Sequence, residues 1–340
     1  VDRDAEADRR VGSQGKTGGI VNEEPSEGAP PPVTSDAAGP GDTTPPLPWY
    51  RRLHPAFRFV GFLLFLVAGV VAIQVVWNLL KLPHATSKGI EQPVPLLLTA
   101  TMLVILSTSV NWLSVRVFEG RGLRTLGFGL APGLLRRVGI GLFFGGLTPA
   151  IVAWSLAAVG IATITRATPD LLAVTLPMFL AMAFISSWEE LVLRGYFMQA
   201  IGAMGGPWVA SIVSGLLFGL VHAGNPGANP AGLIITALNG ILLALMTART
   251  GSLWLACGYH AGWNLVAALG FGMRDSGMVS PGALFSTDLK GPTLWTGGSY
   301  GFEASLLAFL VELVILVVLC VHAPRWAGDS EAWPYYQKKR

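Results

Sequence analysis

Six polar side chains stand where an apolar environment makes them costly: Glu189, Glu190 and Arg194 in SSWEELVLRGYF, His222 in GLLFGLVHAGN, and His260 with Asn264 in ACGYHAGWNL. Each lies in a hydrophobic run that reaches or approaches the length of a bilayer crossing. A charge at the centre of such a helix costs roughly 3 kcal/mol or more, so groups of this kind mark a functional site by default. Glu190 and Arg194 are i, i+4 on one helical face and can pair, with Ser186 and Ser187 a turn earlier. Glu189 projects about 100° away from Glu190 and has no partner at helical spacing, which leaves one carboxylate available as a general base or acid.

The other two segments point their polar groups in the same way. Gly215, Phe218, Gly219 and His222 fall within about 60° of one another in helical projection. Gly215 and Gly219 form a small-xxx-small pattern, so His222 is expected to face a closely packed helix rather than lipid. His260 and Asn264 share a face, and Gly258 with Gly262 present a second close-packing face roughly opposite. At 1.5 Å per residue, Glu189, His222 and His260 come out at depths of about 17, 22 and 12 Å from the cytoplasmic side, close enough to share one site.

The elements that must position these groups are expected to be helices. Of 340 residues 52% are hydrophobic and 13% charged, against about 25% charged in soluble domains, and mean hydropathy is +0.55. Apolar runs predict helices at 57–80, 94–115, 138–163, 172–200, 207–223, 231–248, 252–270 and 302–322, eight transmembrane helices of an all-α polytopic bundle. The net charge of +3 does not argue for nucleic acid, because the basic residues follow membrane topology. Arg116, Arg121, Arg124, Arg136 and Arg137 crowd the connection after the second span, which the positive-inside rule makes cytoplasmic. Both termini then lie inside, in keeping with Arg51, Arg52 and Arg58 near one end and Lys338, Lys339 and Arg340 at the other.

Residues 1–48, rich in Pro, Gly, Ser, Thr and acidic residues, are expected to be a disordered cytoplasmic tail without the apolar core of a signal peptide. The stretch 116–137 reads as an interfacial amphipathic loop, the connection around Arg249 as a tight turn, and 271–300 as the longest loop, able to cover one face. Cys257 and Cys320 offer no CxxC pattern and read as small core packers, though Cys257 is three residues from His260. Phe218 reads as packing. Trp254 and Trp263 read as interface anchors or core fillers.

Taken together, EExxxR (Glu189, Glu190, Arg194), FxxxH (Phe218, His222) and HxxxN (His260, Asn264) resemble the motifs of the CAAX prenyl protease 2 and bacteriocin-processing (CPBP, or Abi) intramembrane proteases. The run RTGSLWLACGYHAGWN is also similar to bacterial members. The likeness covers about residues 172–270. It divides the chain into the tail (1–48), N-terminal transmembrane helices with the Arg-rich loop (49–165), a CPBP-like core (166–270), and a loop, last transmembrane helix and basic tail (271–340).

The resemblance implies an endopeptidase acting within the membrane on membrane-associated, including prenylated CAAX-type, substrates. By that analogy Glu189, assisted by His222, activates a water, His260 and Asn264 donate to the oxyanion, and Glu190 with Arg194 supports the first helix. The residue types suit the chemistry, since each preorganised oxyanion donor is worth roughly 10²–10³ in rate. A divalent metal such as zinc on Glu189, His222 and His260 would also suit one carboxylate and two imidazoles, although HExxH is absent; a metal-free glutamate mechanism is slightly favoured. The expected partners are membrane lipid and a membrane-associated peptide, with no nucleic acid. Two rivals remain. A proton or ion transporter would use the same polar residues but predicts matching broken helices in two halves, which the sequence lacks. A non-catalytic immunity or scaffold protein would leave the three motifs without a purpose.

Overall fold

The structure is a computed structural model and describes residues 53–80, 92–130 and 132–322. The expected tail at 1–48 lies outside the described residues, as do Arg51, Arg52, Lys338, Lys339 and Arg340, and the side chain of Cys320. In chain order the helices are α1 (Pro55–Leu79), α2 (Pro93–Ser114), α3 (Leu134–Ala158), α4 (Leu176–Arg194), α5 (Tyr196–Val221), α6 (Pro230–Thr250), α7 (Leu253–Asn264), the single turn α8 (Thr293–Thr296) and α9 (Leu306–His322). Prolines begin α1, α2 and α6 and occupy the first turn of α4, where the missing N–H leaves no bond unmade.

The chain is a helical membrane bundle. Among the described residues five stretches are long and apolar enough to cross a membrane: Pro55–Leu79, Pro93–Glu119, Leu134–Ala158, Leu171–Gly224 and Pro230–Thr250. Length and composition therefore do not yield the expected eight. Part of the difference is that Leu171–Gly224 holds both α4 and α5. Part is that α9 is apolar over only Leu306–Val318, and that α7 spans just 12 residues before a π-helical turn, Leu265–Gly270.

Two expected boundaries move for backbone reasons. The run 172–200 breaks at Gly195, which leaves the helical region (φ −76°, ψ −133°). Gly206 (φ 81°, ψ 179°), followed by Pro207, then kinks α5. Beyond that kink the chain returns alongside α4, because Ser214 Oγ donates to Leu193 O at 3.0 Å. The run 138–163 ends early at Gly160 (φ 74°), and its last residues begin a strand, β1 (Ala162–Arg166). That strand pairs antiparallel with β2 (Phe285–Leu289), Ala162 facing Leu289 and Arg166 facing Phe285. An all-helical expectation misses this two-stranded sheet, which clips the 271–300 connection against the α3–α4 connection.

Glycines set the close approaches that bring the polar segments together. A Cβ on Gly141 of α3 would lie 2.5 Å from the Leu255 carbonyl oxygen and 2.6 Å from Tyr259 N, and one on Gly258 of α7 would lie 2.5 Å from Val138 O. Gly145 and Gly262 meet the opposite backbone in the same way. Helices α3 and α7 thus pack backbone to backbone, as small residues permit in membranes. On α5, Gly215 and Gly219 face Ala237 and Ile241 of α6, so the partner expected on the His222 face is α6.

The stretch 116–137 is more structured than an interfacial loop. Its Gly127 carbonyl accepts from Leu253 N at 3.1 Å, Phe128 stacks on Trp254 at 4.0 Å, and Trp254 Nε1 donates to Gly129 O at 3.0 Å. These bonds seat the start of α7. The α6–α7 connection is the tight turn its sequence predicts: Gly251 takes the left-handed conformation that ends α6, and Ser252 Oγ caps α7 by accepting from Leu255 N at 3.3 Å.

Candidate active site

A cavity of about 480 Å³ lies among α4, α5, α6, α7 and the segment leading into α9. Glu189, His222, His260 and Asn264 all line it. Three motifs separated by up to seventy residues therefore present their polar ends to one volume.

Glu190 and Arg194 stand behind this wall and are fully buried. Glu190 Oε1 pairs with Arg194 Nη1 at 3.2 Å, the i, i+4 contact expected from sequence. It also accepts from Nδ1 of His260 at 2.9 Å, a bond across helices that spacing alone does not reveal. Arg194 continues the chain of contacts, donating from Nη2 to Gly240 O of α6 at 3.0 Å and placing its guanidinium carbon 4.6 Å from the centre of the Phe218 ring. One ion pair thereby ties α4 to α5, α6 and α7.

The second ring nitrogen of His260 faces the other carboxylate. Nε2 lies 3.7 Å from Oε2 of Glu189, whose side chain is 20% exposed. That separation exceeds a direct hydrogen bond and suits a shared water between them. The structure so gives Glu189 a neighbour that its own helix does not supply. No hydrogen bond or ion pair joins Glu189 to His222 among the described residues.

His222 ends α5 and opens a 3₁₀ turn, His222–Gly224. Its Nδ1 lies 2.6 Å from the Phe218 carbonyl oxygen. A carbonyl only accepts, so Nδ1 carries a proton, which in the neutral ring puts the lone pair on Nε2. Asn264 donates from Nδ2 to Ser186 Oγ at 3.0 Å, and Ser186 in turn donates to Met182 O. One amide hydrogen of Asn264 is thus spent on orientation and the second remains to serve the cavity. Phe218, expected as packing, meets the rings of both His222 (4.6 Å) and His260 (5.8 Å) edge-on, so it spaces the two imidazoles.

Cys257 packs with Leu191 and Leu253 in the core and does not line the cavity. Glu189, His222 and His260 share the cavity wall, yet among the described residues no group of three His, Cys, Asp or Glu side chains is arranged to hold a metal ion.

Sequence reasoning missed part of the lining. Asn239 of α6, Asp275 and Ser276 of the long connection, Glu303 in the 3₁₀ turn Phe302–Ala304 and Glu312 of α9 also face the cavity. Glu312 carried a readable signal, a lone carboxylate in AFLVELVILVV. Asp275 and Glu303 carried none, because polar residues in loops are ordinary. Burial, together with Asp275 beside it, holds the Glu303 carboxyl well above the usual carboxylate range. Burial and Glu303 push the Tyr300 hydroxyl up in turn.

No curated protein matches the chain. Residues 170–266, which carry every one of the six polar residues of the three motifs, match the family described as Type II CAAX prenyl endopeptidase Rce1-like, a match consistent with the CPBP type.

Proposed function

We propose that the chain is an intramembrane endopeptidase that hydrolyses peptide bonds of membrane-associated substrates. The observation that carries the reading is the convergence of Glu189, His222, His260 and Asn264 on one cavity, with both imidazoles held from behind by a fixed acceptor. A water beside Glu189 and the bare Nε2 of His222 loses its proton to this pair as its oxygen attacks the scissile carbonyl carbon. The carbonyl oxygen takes the electron pair as an oxyanion. His260, with a carboxylate at each ring nitrogen, is set to donate from both, and its Nε2–H with the second Asn264 N–H stabilises that oxyanion. Collapse of the tetrahedral species breaks the C–N bond, and the proton held by Glu189 passes to the departing amine.

Glu190 and Arg194 act through position in this scheme. They fix the plane of His260 and hold the proton on its Nδ1, as outer hydrogen-bond partners of catalytic imidazoles do. The proposed orientation sets the Arg-rich connection after α2 on the cytoplasmic side, which the positive-inside rule supports. The family match supports protease chemistry on CAAX-type substrates, and it lends nothing to a transporter or a silent scaffold.

The test is hydrolysis of membrane-embedded and prenylated peptides by purified protein in lipid, wild type beside Glu189→Ala and His260→Ala. Cleavage by the wild type that is lost in both variants, each still folded, is the expected result. Equal cleavage by Glu189→Ala overturns the mechanism. Metal content, with activity before and after chelation, decides whether an ion assists.

A further inference from the structure

Part of the cavity lining takes no part in that chemistry. Asn239, Glu303 and Glu312 reach it from α6, the turn before α9 and α9 itself. They are 9%, 8% and 3% exposed. Each has a buried side-chain oxygen, Asn239 Oδ1, Glu303 Oε1 and Glu312 Oε2, with no hydrogen-bond partner among the described residues. An acceptor buried without a donor costs about 1–3 kcal/mol, and more when charged. Native proteins leave few such atoms.

Asn239 Oδ1 only accepts, and the two carboxyls accept at every oxygen once ionised, a state that a cation beside them favours, so what completes all three together is a charged donor. Asp275 adds a further carboxylate to the lining, while no Lys or Arg lines the cavity among the described residues. Asp275 and Glu303 are neighbours, yet among the described residues the carboxyls are not gathered into a metal-holding group. The complement is therefore a group that brings several N–H donors and a positive charge of its own. Charge-assisted bonds of that kind are about twice as strong as neutral ones.

From this geometry we propose that Asn239, Glu303 and Glu312 form a subsite that receives the cationic side chain of a Lys or Arg in the substrate peptide. The proposal deepens the endopeptidase reading and rests on it for the cleavage measurement. The subsite lies in the same cavity as Glu189 and His260, so it selects peptides with a basic residue near the scissile bond. The positively charged residue leaves water for this wall only because the wall holds unmet acceptors; a purely apolar pocket would reject it.

The experiment uses the full chain in uncharged phosphatidylcholine vesicles, which removes attraction of basic peptides to anionic lipid. Peptides identical but for a single Lys or Gln, scanned along both sides of the scissile bond, are compared by kcat/KM. At one position the Lys peptide is expected to exceed the Gln peptide by about tenfold or more, chiefly through KM, the effect of about one charge-assisted bond. Glu312→Gln and, separately, Glu303→Gln are expected to bring that ratio toward one. A parallel titration measures the Kd of fluorophore-labelled Lys and Gln peptides for the Glu189→Ala protein. Preferential binding of the Lys peptide without any cleavage by the wild type overturns the endopeptidase reading and supports the subsite. Cleavage with equal Kd and equal kcat/KM at every position overturns the subsite, as does a Lys preference that survives in both variants.

Discussion

Glu190 and His260 are joined by a 2.9 Å hydrogen bond across seventy residues of sequence, and the same Glu190 oxygen faces Arg194 at 3.2 Å. A single buried carboxylate thus neutralises a buried cation and orients the ring proposed to donate to the oxyanion. Glu190→Gln keeps the shape and one acceptor oxygen but removes the charge. Cleavage is expected to fall by about 10–100-fold, the range seen when an outer partner of a working imidazole is lost, with kcat falling more than KM. Glu190→Ala leaves Arg194 charged and unpaired in the core and is expected to destabilise the fold by about 3–5 kcal/mol. Steady-state kinetics beside unfolding in mixed micelles separates the two effects; a Gln variant with wild-type kcat would remove Glu190 from the positioning role.

Glu189 differs from its neighbour in kind. It is partly exposed to the cavity and its nearest ion-pair contact is the 3.7 Å approach to His260, so its removal orphans no buried charge. Glu189→Ala is expected to change stability by within about 0.5 kcal/mol, as for sites without such features, while abolishing hydrolysis. The informative quantity is the contrast between adjacent carboxylates: one variant folded and inactive, the other weakened in both respects. A Glu189→Ala protein that unfolds as readily as Glu190→Ala would contradict the separation of roles.

What the sequence disclosed, and what it withheld, follows the range of the forces involved. The Glu190–Arg194 pair is local, fixed by the helical repeat, and was legible from spacing alone. The close partners of Gly215 and Gly258 were legible as faces, because small residues at four-residue intervals have few other uses in an apolar helix. The identities of those partners, α6 and α3, are properties of the whole bundle. The same limit hid the Glu190–His260 bond and made Glu189 look solitary, since each depends on the rotation of α7 against α4. The break at Gly195 and the kink at Gly206 escaped because hydropathy continues through both. Asp275 and Glu303 entered the cavity by a connection whose fold, clipped by β1 and β2, leaves no periodic trace.

The raised Glu303 carboxyl makes stability depend on pH in a stated direction. Its ordinary value is 4.5, and burial followed by the nearby Asp275 raises it in the folded protein. The folded state then binds the proton more tightly than the unfolded one. The stabilisation is fully present below about pH 4.5 and is lost as pH rises through the folded value. Tyr300, also facing Glu303, is pushed to higher pH and stays neutral throughout that window. Glu303→Gln is expected to flatten the fall in thermal midpoint on the alkaline side of pH 4.5, relative to wild type. An unaltered pH profile in the variant would assign the dependence to another group.

Backbone contact between α3 and α7 makes a further prediction about how the site is held. A methyl group on Gly145 would overlap the Tyr259 carbonyl, one residue before His260, whereas a methyl group on Gly139 of the same helix meets nothing within 4 Å. Relief at Gly145 requires moving one backbone against another, since no flexible side chain is available to yield. Gly145→Ala is therefore expected to cost about 1–3 kcal/mol, the usual penalty of overpacking, and Gly139→Ala close to nothing. Because α7 carries both His260 and Asn264, the displacement that accommodates the methyl group also moves these proposed oxyanion donors relative to Glu189 on α4. Gly145→Ala should lose activity beyond its loss of folded protein, a difference read by normalising kcat to the folded fraction; full activity per folded molecule would show that α7 can shift without disturbing the site.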